Sequence, residues 1–255
     1  MTSGVEGSVS EQPGLPVVLS VCAPAYNEEQ IIEPVVRYWL EVLRKDGLPA
    51  EIVIANDGST DGTEQVLRGL QAQAPELRVV SYSPNRGYGY ALSTAIRAAQ
   101  GQYVVTLDSD GQFDLAEYRG LLDELRRGGY DLVTGCRRRK QGRIAHVLAD
   151  RALNLIVRML FGLPLRDTNC ALKVMKREVP AAFTMEARGY PTPTEIVVKA
   201  ASLGYRIGEM GITHSERAGG RSKLKVFRTG WQFLRFLAYL KTKQVLYRAR
   251  ILNRL

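Results

Sequence analysis

Through the first half of this 255-residue chain, short apolar runs alternate with helical patterns. That alternation restricts the possible folds more than any other feature. PVVLSVCAP (16–24) reads as a strand, followed by an amphipathic helix in EEQIIEPVVRYWLEVLRK (28–45). EIVIAND (51–57) and TDGTEQVLRGLQAQ (60–73) repeat the pair, as do LRVVSYS with GYALSTAIRAAQ and QYVVTLD with LAEYRGLLDELRRG. YDLVTG (130–135) closes a fifth strand, and the pattern loosens after residue 136. Strands that alternate with helices across short links predict an α/β fold, a mostly parallel central sheet with helices on both faces. Runs that are apolar at successive positions fit strands buried on both sides.

In such sheets ligands bind beyond the carboxyl ends of the strands. The polar residues there are PAYNE (24–28), NDGSTDG (56–62), SPNRGYG (83–89) and DSDGQ (108–112), so four clusters should share one crevice. In a strand, residues i and i+2 face the same side. Asp108 and Asp110 are therefore expected to aim two carboxylates at one point, where a hard divalent cation with a substrate diphosphate would relieve their repulsion. The plainer reading is a solvated turn, since Asp and Gly are ordinary turn residues. The shared edge favours the site.

Two other motif readings fail on their own residues. GYGYAL (87–92) follows a strand and opens a helix, and Asp108 lies 21 residues after Gly87, as a dinucleotide site would have it. Its third glycine position is Leu92, though, where close helix–strand packing wants Gly or Ala, and it follows the third strand. DGSTDG begins like a calcium loop from Asp57, but position 12 is Arg68 where a bidentate Glu is required.

A hydrophobic content of 45% suits a soluble globular protein. Cys22, Cys136 and Cys170 are widely spaced and the chain has two histidines, so neither a zinc cage nor a disulfide framework is expected, and a reducing cytoplasm is the default. No signal peptide is read at the start; residues 1–14 look like a disordered lead-in. The net charge of +9 is concentrated. RRRKQGR (137–143) holds five basic residues, and residues 226–255 hold seven with no acid, interleaved with Phe227, Trp231, Phe233, Phe236, Tyr239 and Tyr247. Such a tail suits an anionic membrane surface, nucleic acid or phosphorylated substrates, or is simply a docked helix with a solvated basic face. No stretch is long and apolar enough to span a bilayer.

PAYNEEQII, NDGSTDGT, NRGYGYALSTAIRAAQGQYVVTLDSDGQF, VTGCRRR, DTNCALKVMKRE and HSERAGGRSKL occur in the order seen in the family 2 glycosyltransferases, and the chain resembles their dolichyl- or polyprenyl-phosphate mannosyltransferase branch from about residue 17 to 225. The resemblance implies a GT-A fold, with a Rossmann-like, mostly parallel sheet over residues 15–225. An amphipathic, basic C-terminal helix would follow over 226–255. It implies an inverting transfer from a nucleotide-sugar, GDP-mannose or a UDP-hexose, to a polyprenyl-phosphate acceptor, with Mg²⁺ or Mn²⁺ on the donor diphosphate.

By the same resemblance Pro24, Ala25, Tyr26, Glu28 and Asp57 line the nucleotide, and Asp108, Asp110 and Gln112 hold the metal. Arg137, Arg151 and Ser222 meet acceptor or phosphate. Arg217 and Lys223 belong to a phosphate-gripping loop, a role guanidinium forks suit. His214 is a third metal ligand, a diphosphate contact, or a satisfied histidine at a strand end. An ionised lipid phosphate needs no general base. A hydroxyl acceptor needs one, for which Glu195 is the first candidate and Asp167 the second; Glu195 reads equally well as a charge in the first turn of its helix.

The branch's usual S-G-F-R is here Cys170-Ala171-Leu172-Lys173, which puts pocket shape and acceptor in question, and its membrane-spanning helices are missing. The tail and ADRALNLIVRMLFGL (149–163) would instead lie peripherally on the cytoplasmic membrane face. The runner-up is a soluble transferase acting on a hydroxyl of a polysaccharide or small natural product. A nucleic-acid-binding module would leave the four acidic strand ends unexplained, so no nucleic-acid partner is expected.

Overall fold

The computed structural model describes residues 17–138, 144–215 and 226–255. The 1–14 lead-in, most of the 137–143 basic run, and Arg217, Gly219, Gly220, Ser222 and Lys223 lie outside them. Seven strands form one sheet: β1 (Leu19–Ala25), β2 (Ala50–Asp57), β3 (Leu77–Tyr82), β4 (Tyr103–Thr106), β5 (Leu132–Arg137), β6 (Lys173–Lys176) and β7 (Ile207–Ile212). Their order is β3-β2-β1-β4-β6-β5-β7. The helices are α1 (Ile32–Asp46), α2 (Thr63–Gln73), α3 (Tyr88–Ala98), α4 (Tyr118–Gly128), α5 (Ile144–Phe161), the single turn α6 (Glu178–Ala181), α7 (Thr192–Ser202) and α8 (Val226–Arg248).

The expected α/β alternation is present. β1 is buried at all seven positions, and alternate residues feed opposite faces of the sheet, as the two-residue period of a strand requires. Val21, Ala23, Ile52 and Ile54 join the core under α1, α2 and α4; Cys22, Val53, Ala55 and Val104 join the core under α3, α5, α7 and α8. Each fully buried Leu, Ile or Val contributes about 1.5–3 kcal/mol relative to an exposed one.

Two features of the sheet are absent from the sequence reading. The run expected as a fifth strand forms β5, yet it does not lie beside β4. The four-residue β6 sits between them, antiparallel to both, and β7 adds to β5 in parallel at the edge. The chain moves outward through β2 and β3, then returns past β1 to β4. The strand order therefore reverses between β1 and β4, where open α/β sheets place their ligands.

α8 was expected to be amphipathic. It buries Phe233, Leu237, Leu240 and Gln244, but its outer side mixes Trp231, Leu234, Tyr239 and Val245 with Gln232, Arg235 and Thr242. The apolar residues are not confined to the docked side.

Candidate active site

At the carboxyl end of β1 the chain turns through Asn27, which adopts a left-handed conformation (φ 55°) that Asn tolerates better than most residues. The turn is laced to the loop after β2. The Thr60 amide donates to Asn27 Oδ1 (2.8 Å), the Glu28 amide to Thr63 Oγ1 (2.9 Å), and the Gly62 amide to Glu29 Oε2 (3.0 Å). PAYNEE and NDGSTDG thus fold as one wall. Pro24 and Ala25 are buried in its base, Glu28 is partly exposed, and Tyr26 stands 38% exposed at its rim.

The opposite wall is the DSDGQ segment. β4 ends at Thr106, so Asp108 and Asp110 sit on the turn beyond the strand rather than within it, as the alternation argument had assumed. A hydrogen bond from the Gln112 amide to Asp110 Oδ1 (3.1 Å) closes the turn, and Ser109 Oγ donates to the Pro24 carbonyl (2.8 Å), joining it to β1. Tyr88, the first residue of α3, donates its hydroxyl to Asp108 Oδ1 (2.8 Å). Burial first, then the charge of Asp108 with its hydrogen bond, and then the charge of Asp110, push the Tyr88 phenol well above its usual pKa.

The third side is basic and acidic together. Arg137, at the end of β5, grips Asp167 through Nε (2.7 Å) and Nη2 (2.8 Å), and its Nη2 lies 3.5 Å from Asp150 on α5. Burial works against the guanidinium's charge, but Asp167 and then Asp150 hold its pKa above the usual value. Arg137 thus spans β5, α5 and the segment carrying Asp167. Its expected phosphate contact would be made from this carboxylate-held position. His214 follows β7 and stacks edge-on against Phe113 (centroids 4.9 Å apart). Its pKa is lowered by burial and then by Arg137, against the pull of Asp110 and Asp167. Gln112 is bonded both ways to Ser215, donating through Nε2 to its carbonyl (3.3 Å) and accepting from its amide (2.9 Å). The segment that leads to Arg217, Ser222 and Lys223 therefore starts beside the Asp110 turn.

Other expected site residues are differently employed. Asp57, 2% exposed, accepts hydrogen bonds from the amides of Arg86 (2.7 Å) and Gly87 (2.8 Å) and from Asn85 Nδ2 (2.9 Å). Its carboxylate holds the 85–87 loop at the carboxyl end of β2. Glu195, the candidate base, is fully buried and accepts from the Glu186 amide (2.9 Å), the Ala187 amide (2.8 Å) and Lys199 Nζ (2.8 Å). A base needs an open face toward the proton it takes, and Glu195 has none. Asp167, the second candidate, is held by Arg137 and is also fully buried. Arg151 is exposed on α5. Cys170 to Lys173 are buried under the crevice, with Lys173 Nζ donating to Thr134 Oγ1 (2.9 Å) and the Thr168 carbonyl (3.3 Å). The segment that departs from S-G-F-R is thus buried, with Cys170 beside Tyr88 and Arg137.

The sequence reading missed Tyr88. It lies inside the GYG motif that was weighed as a dinucleotide loop, and its position at the start of a helix facing the β4 end was the available signal.

Among the described residues no three His, Cys, Asp or Glu side chains converge to hold a metal. Two carboxylates alone, both hard oxygen donors, fit Mg²⁺ or Mn²⁺ of the kind whose other positions a substrate diphosphate and water fill.

Comparison with known proteins agrees with this geometry. A crystal structure of glucosyl-3-phosphoglycerate synthase from Mycobacterium tuberculosis, in complex with phosphoglyceric acid, superposes with a TM-score of 0.69 at 25% identity, covering 89% of this chain and 80% of that one. A crystal structure of the same synthase with Mn²⁺, UDP and phosphoglyceric acid matches with a TM-score of 0.69 at 24% identity, covering 88% of this chain and 78% of that one, which shows the fold alone. The fold is that of the GT-A glycosyltransferases. Among curated relatives, an undecaprenyl-phosphate 4-deoxy-4-formamido-L-arabinose transferase of Pectobacterium atrosepticum is 31% identical over 80% of this chain and 62% of its own length. A dodecaprenyl-phosphate galacturonate synthase of Rhizobium johnstonii is 30% identical over 83% of this chain and 63% of its own. Glycosyltransferase AglD of Haloferax volcanii is 31% identical over 85% of this chain and 37% of its own. The chain thus spans about three fifths or less of the curated relatives' length. The family model described as glycosyl transferase family 2 matches residues 20–172, more than half of the sequence, and the chain belongs to that family.

Proposed function

We propose that this chain transfers a sugar, with inversion, from a nucleotide-sugar to a polyprenyl-phosphate-type acceptor. The observation that carries the reading is the pair Asp108 and Asp110 on one turn at the point where the strand order reverses, braced by Tyr88 and Ser109. Two of the relatives bear names that specify polyprenyl-phosphate acceptors.

In this reading Tyr26 at the rim covers the base, and the wall of Asn27 to Thr63 fixes the nucleoside. Asp108 and Asp110 hold Mg²⁺ or Mn²⁺, with Gln112 beside them; the ion offsets charge on the departing diphosphate. Arg217 and Lys223 grip the phosphates and Ser222 the acceptor. The donor is GDP-mannose or a UDP-hexose. The acceptor oxygen attacks the anomeric carbon as the nucleoside diphosphate leaves.

Both carboxylates named for a hydroxyl acceptor are buried and bonded, Glu195 to Lys199 and Asp167 to Arg137. An acceptor that arrives already ionised, as a lipid phosphate does, needs neither. This favours the lipid phosphate over the runner-up, a hydroxyl of a polysaccharide or small natural product. Among the described residues no helix is long and apolar enough to cross a membrane. Access to a lipid acceptor is assigned to α5 and α8 lying on an anionic membrane surface.

The test is transfer of labelled sugar from GDP-mannose and several UDP-sugars into polyprenyl phosphate, with Mg²⁺ or Mn²⁺ and with EDTA. Metal-dependent label in the organic phase is the expected result. Label that enters only water-soluble acceptors would overturn the acceptor assignment and leave the transferase.

A further inference from the structure

Away from the crevice, α7 and α8 share a chain of paired charges, buried at α7 and partly exposed toward α8, that the proposed reaction does not use. Glu195 and Lys199 are one helical turn apart on α7, with at most 1% of either side chain exposed. Lys199 Nζ also reaches Glu186 Oε2 (2.6 Å) and the Thr184 carbonyl (2.7 Å). Glu186 in turn accepts from two residues of α8, Tyr239 through its hydroxyl (2.8 Å) and Lys243 through Nζ (3.0 Å). Two acids and two lysines balance; Glu195 and Lys199 are fully buried, whereas Lys243 and Glu186 keep 18% and 29% of their side chains exposed. Removing one member of such a set leaves another's charge uncompensated.

The output of this chain is not a ligand but a loop. Glu195 takes the amides of Glu186 and Ala187, one on each oxygen. The next carbonyls press on the start of α3. A methyl group at Gly89 would overlap the Ala187 carbonyl oxygen, and one at Gly87 would overlap that of Arg188. The glycines of the GYG motif are there because the 187–188 backbone lies against them. Gly87 also has φ +96°, a region that side chains rarely adopt. Between them stands Tyr88, whose hydroxyl holds Asp108. Ion pairs, a loop, a glycine contact and a tyrosine thus form one continuous line from α8 to a carboxylate of the crevice.

We propose that Glu195, Lys199 and Glu186 are positioning residues for Asp108. They fix the 186–188 loop, the loop fixes the start of α3, and Tyr88 sets the carboxylate. By way of Tyr239 and Lys243, the seating of α8 enters the same line, so the outer helix tunes how the crevice holds a metal-bound diphosphate. The inference rests on the proposed role of Asp108 in donor binding.

The experiment uses the full chain with Glu186→Gln, Tyr239→Phe, Tyr88→Phe, and Tyr88→Phe combined with Glu186→Gln. Two readouts are taken well below each variant's melting temperature. The first is affinity for Mn²⁺ with UDP, and with GDP, by calorimetry. The second is amide hydrogen exchange of the ligand-free protein. Tyr88→Phe should weaken nucleotide–Mn²⁺ binding about tenfold or more, and Glu186→Gln and Tyr239→Phe should weaken it by less. The double variant should be no weaker than the worse single, because both changes act through one line. Glu186→Gln and Tyr239→Phe should speed exchange at residues 87–89 as well as at 186–187. Exchange raised at 186–187 alone, or factors that multiply in the double variant, would overturn the relay. Wild-type protein that binds neither nucleotide with Mn²⁺ would end the donor reading instead, and the exchange data would still decide the relay. Glu195→Gln is the stricter variant. If it does not fold, the half-exposed Glu186 and Tyr239 carry the test.

Discussion

Asp110 contributes one hydrogen bond to its own turn, from the Gln112 amide, and is 4% exposed. In the proposed site its carboxylate holds the cation. Asp110→Ala should lower sugar transfer about a thousandfold or more, the several kcal/mol that a cation on a departing diphosphate supplies, while circular dichroism and melting stay near wild type. Retained turnover would sink the metal assignment. Lys173 is the reverse case, a charge whose interest is structural. Burial lowers its pKa to about 8, from a usual value of 10.5. The folded state then prefers the neutral amine, so the cost of a buried ammonium is present in full below pH 8 and is relieved as pH rises toward 10.5. Wild type should gain about 2 kcal/mol over Lys173→Met between about pH 7.5 and about pH 9.5, read by urea unfolding at each pH. No relative gain would mean that Lys173 Nζ is solvated.

At the scale of elements, the first four strands and their helices were legible because each follows one period: successive apolar residues in β1 and β2, and the 3.6-residue pattern in α1 and α4. β6 was hidden because its four residues open on Lys173, and a lysine masks the apolar run of a strand whose amine is capped inside the core. The Asp108–Asp110 turn was legible as a polar cluster closing an apolar run, although both residues lie beyond the strand rather than alternating within it. The site was not legible where the partner decides the role. An arginine after a strand suits a phosphate or a carboxylate equally, and only the fold brings Asp167 to Arg137. Glu195 reads from the sequence as a candidate base or a first-turn charge, and only the fold brings the 186–187 amides and Lys199 onto it. The GYG motif carried meaning of another kind, close backbone contact between α3 and the 187–188 segment. Gly89→Ala should therefore destabilise by about 1–3 kcal/mol, as overpacking does, and lower the melting temperature by about 2–4 °C per kcal/mol in a chain of this size. A melting curve identical to wild type would show that the two backbones have room between them.

For the whole molecule, the question is what faces the outer sides of α5 and α8. The two helices pack together, with Lys241 of α8 donating to the Leu160 carbonyl (2.7 Å) at the end of α5. Along α5, Leu148, Leu155 and Met159 are 56%, 53% and 69% exposed, at a spacing that returns to one side of a helix, and Arg151 is exposed between them. α8 adds Trp231 at 65% and Val245 at 53%, with Arg235 and Arg248 exposed as well. Water is a poor neighbour for that set, and an anionic bilayer surface a good one, because it takes apolar side chains below the headgroups and leaves arginines among the phosphates. The same arrangement would bring a lipid acceptor to the crevice without a spanning helix. The full chain should float with vesicles containing anionic lipid, and binding should weaken as salt is raised, since each arginine near the surface contributes about 1 kcal/mol that screening removes. Replacing Leu155 and Met159 together by Ser should weaken flotation at every salt concentration, whereas Arg151→Gln should weaken it mainly at low salt. Equal binding to neutral and anionic vesicles, or no binding at low salt, would take α5 and α8 out of the path to the acceptor.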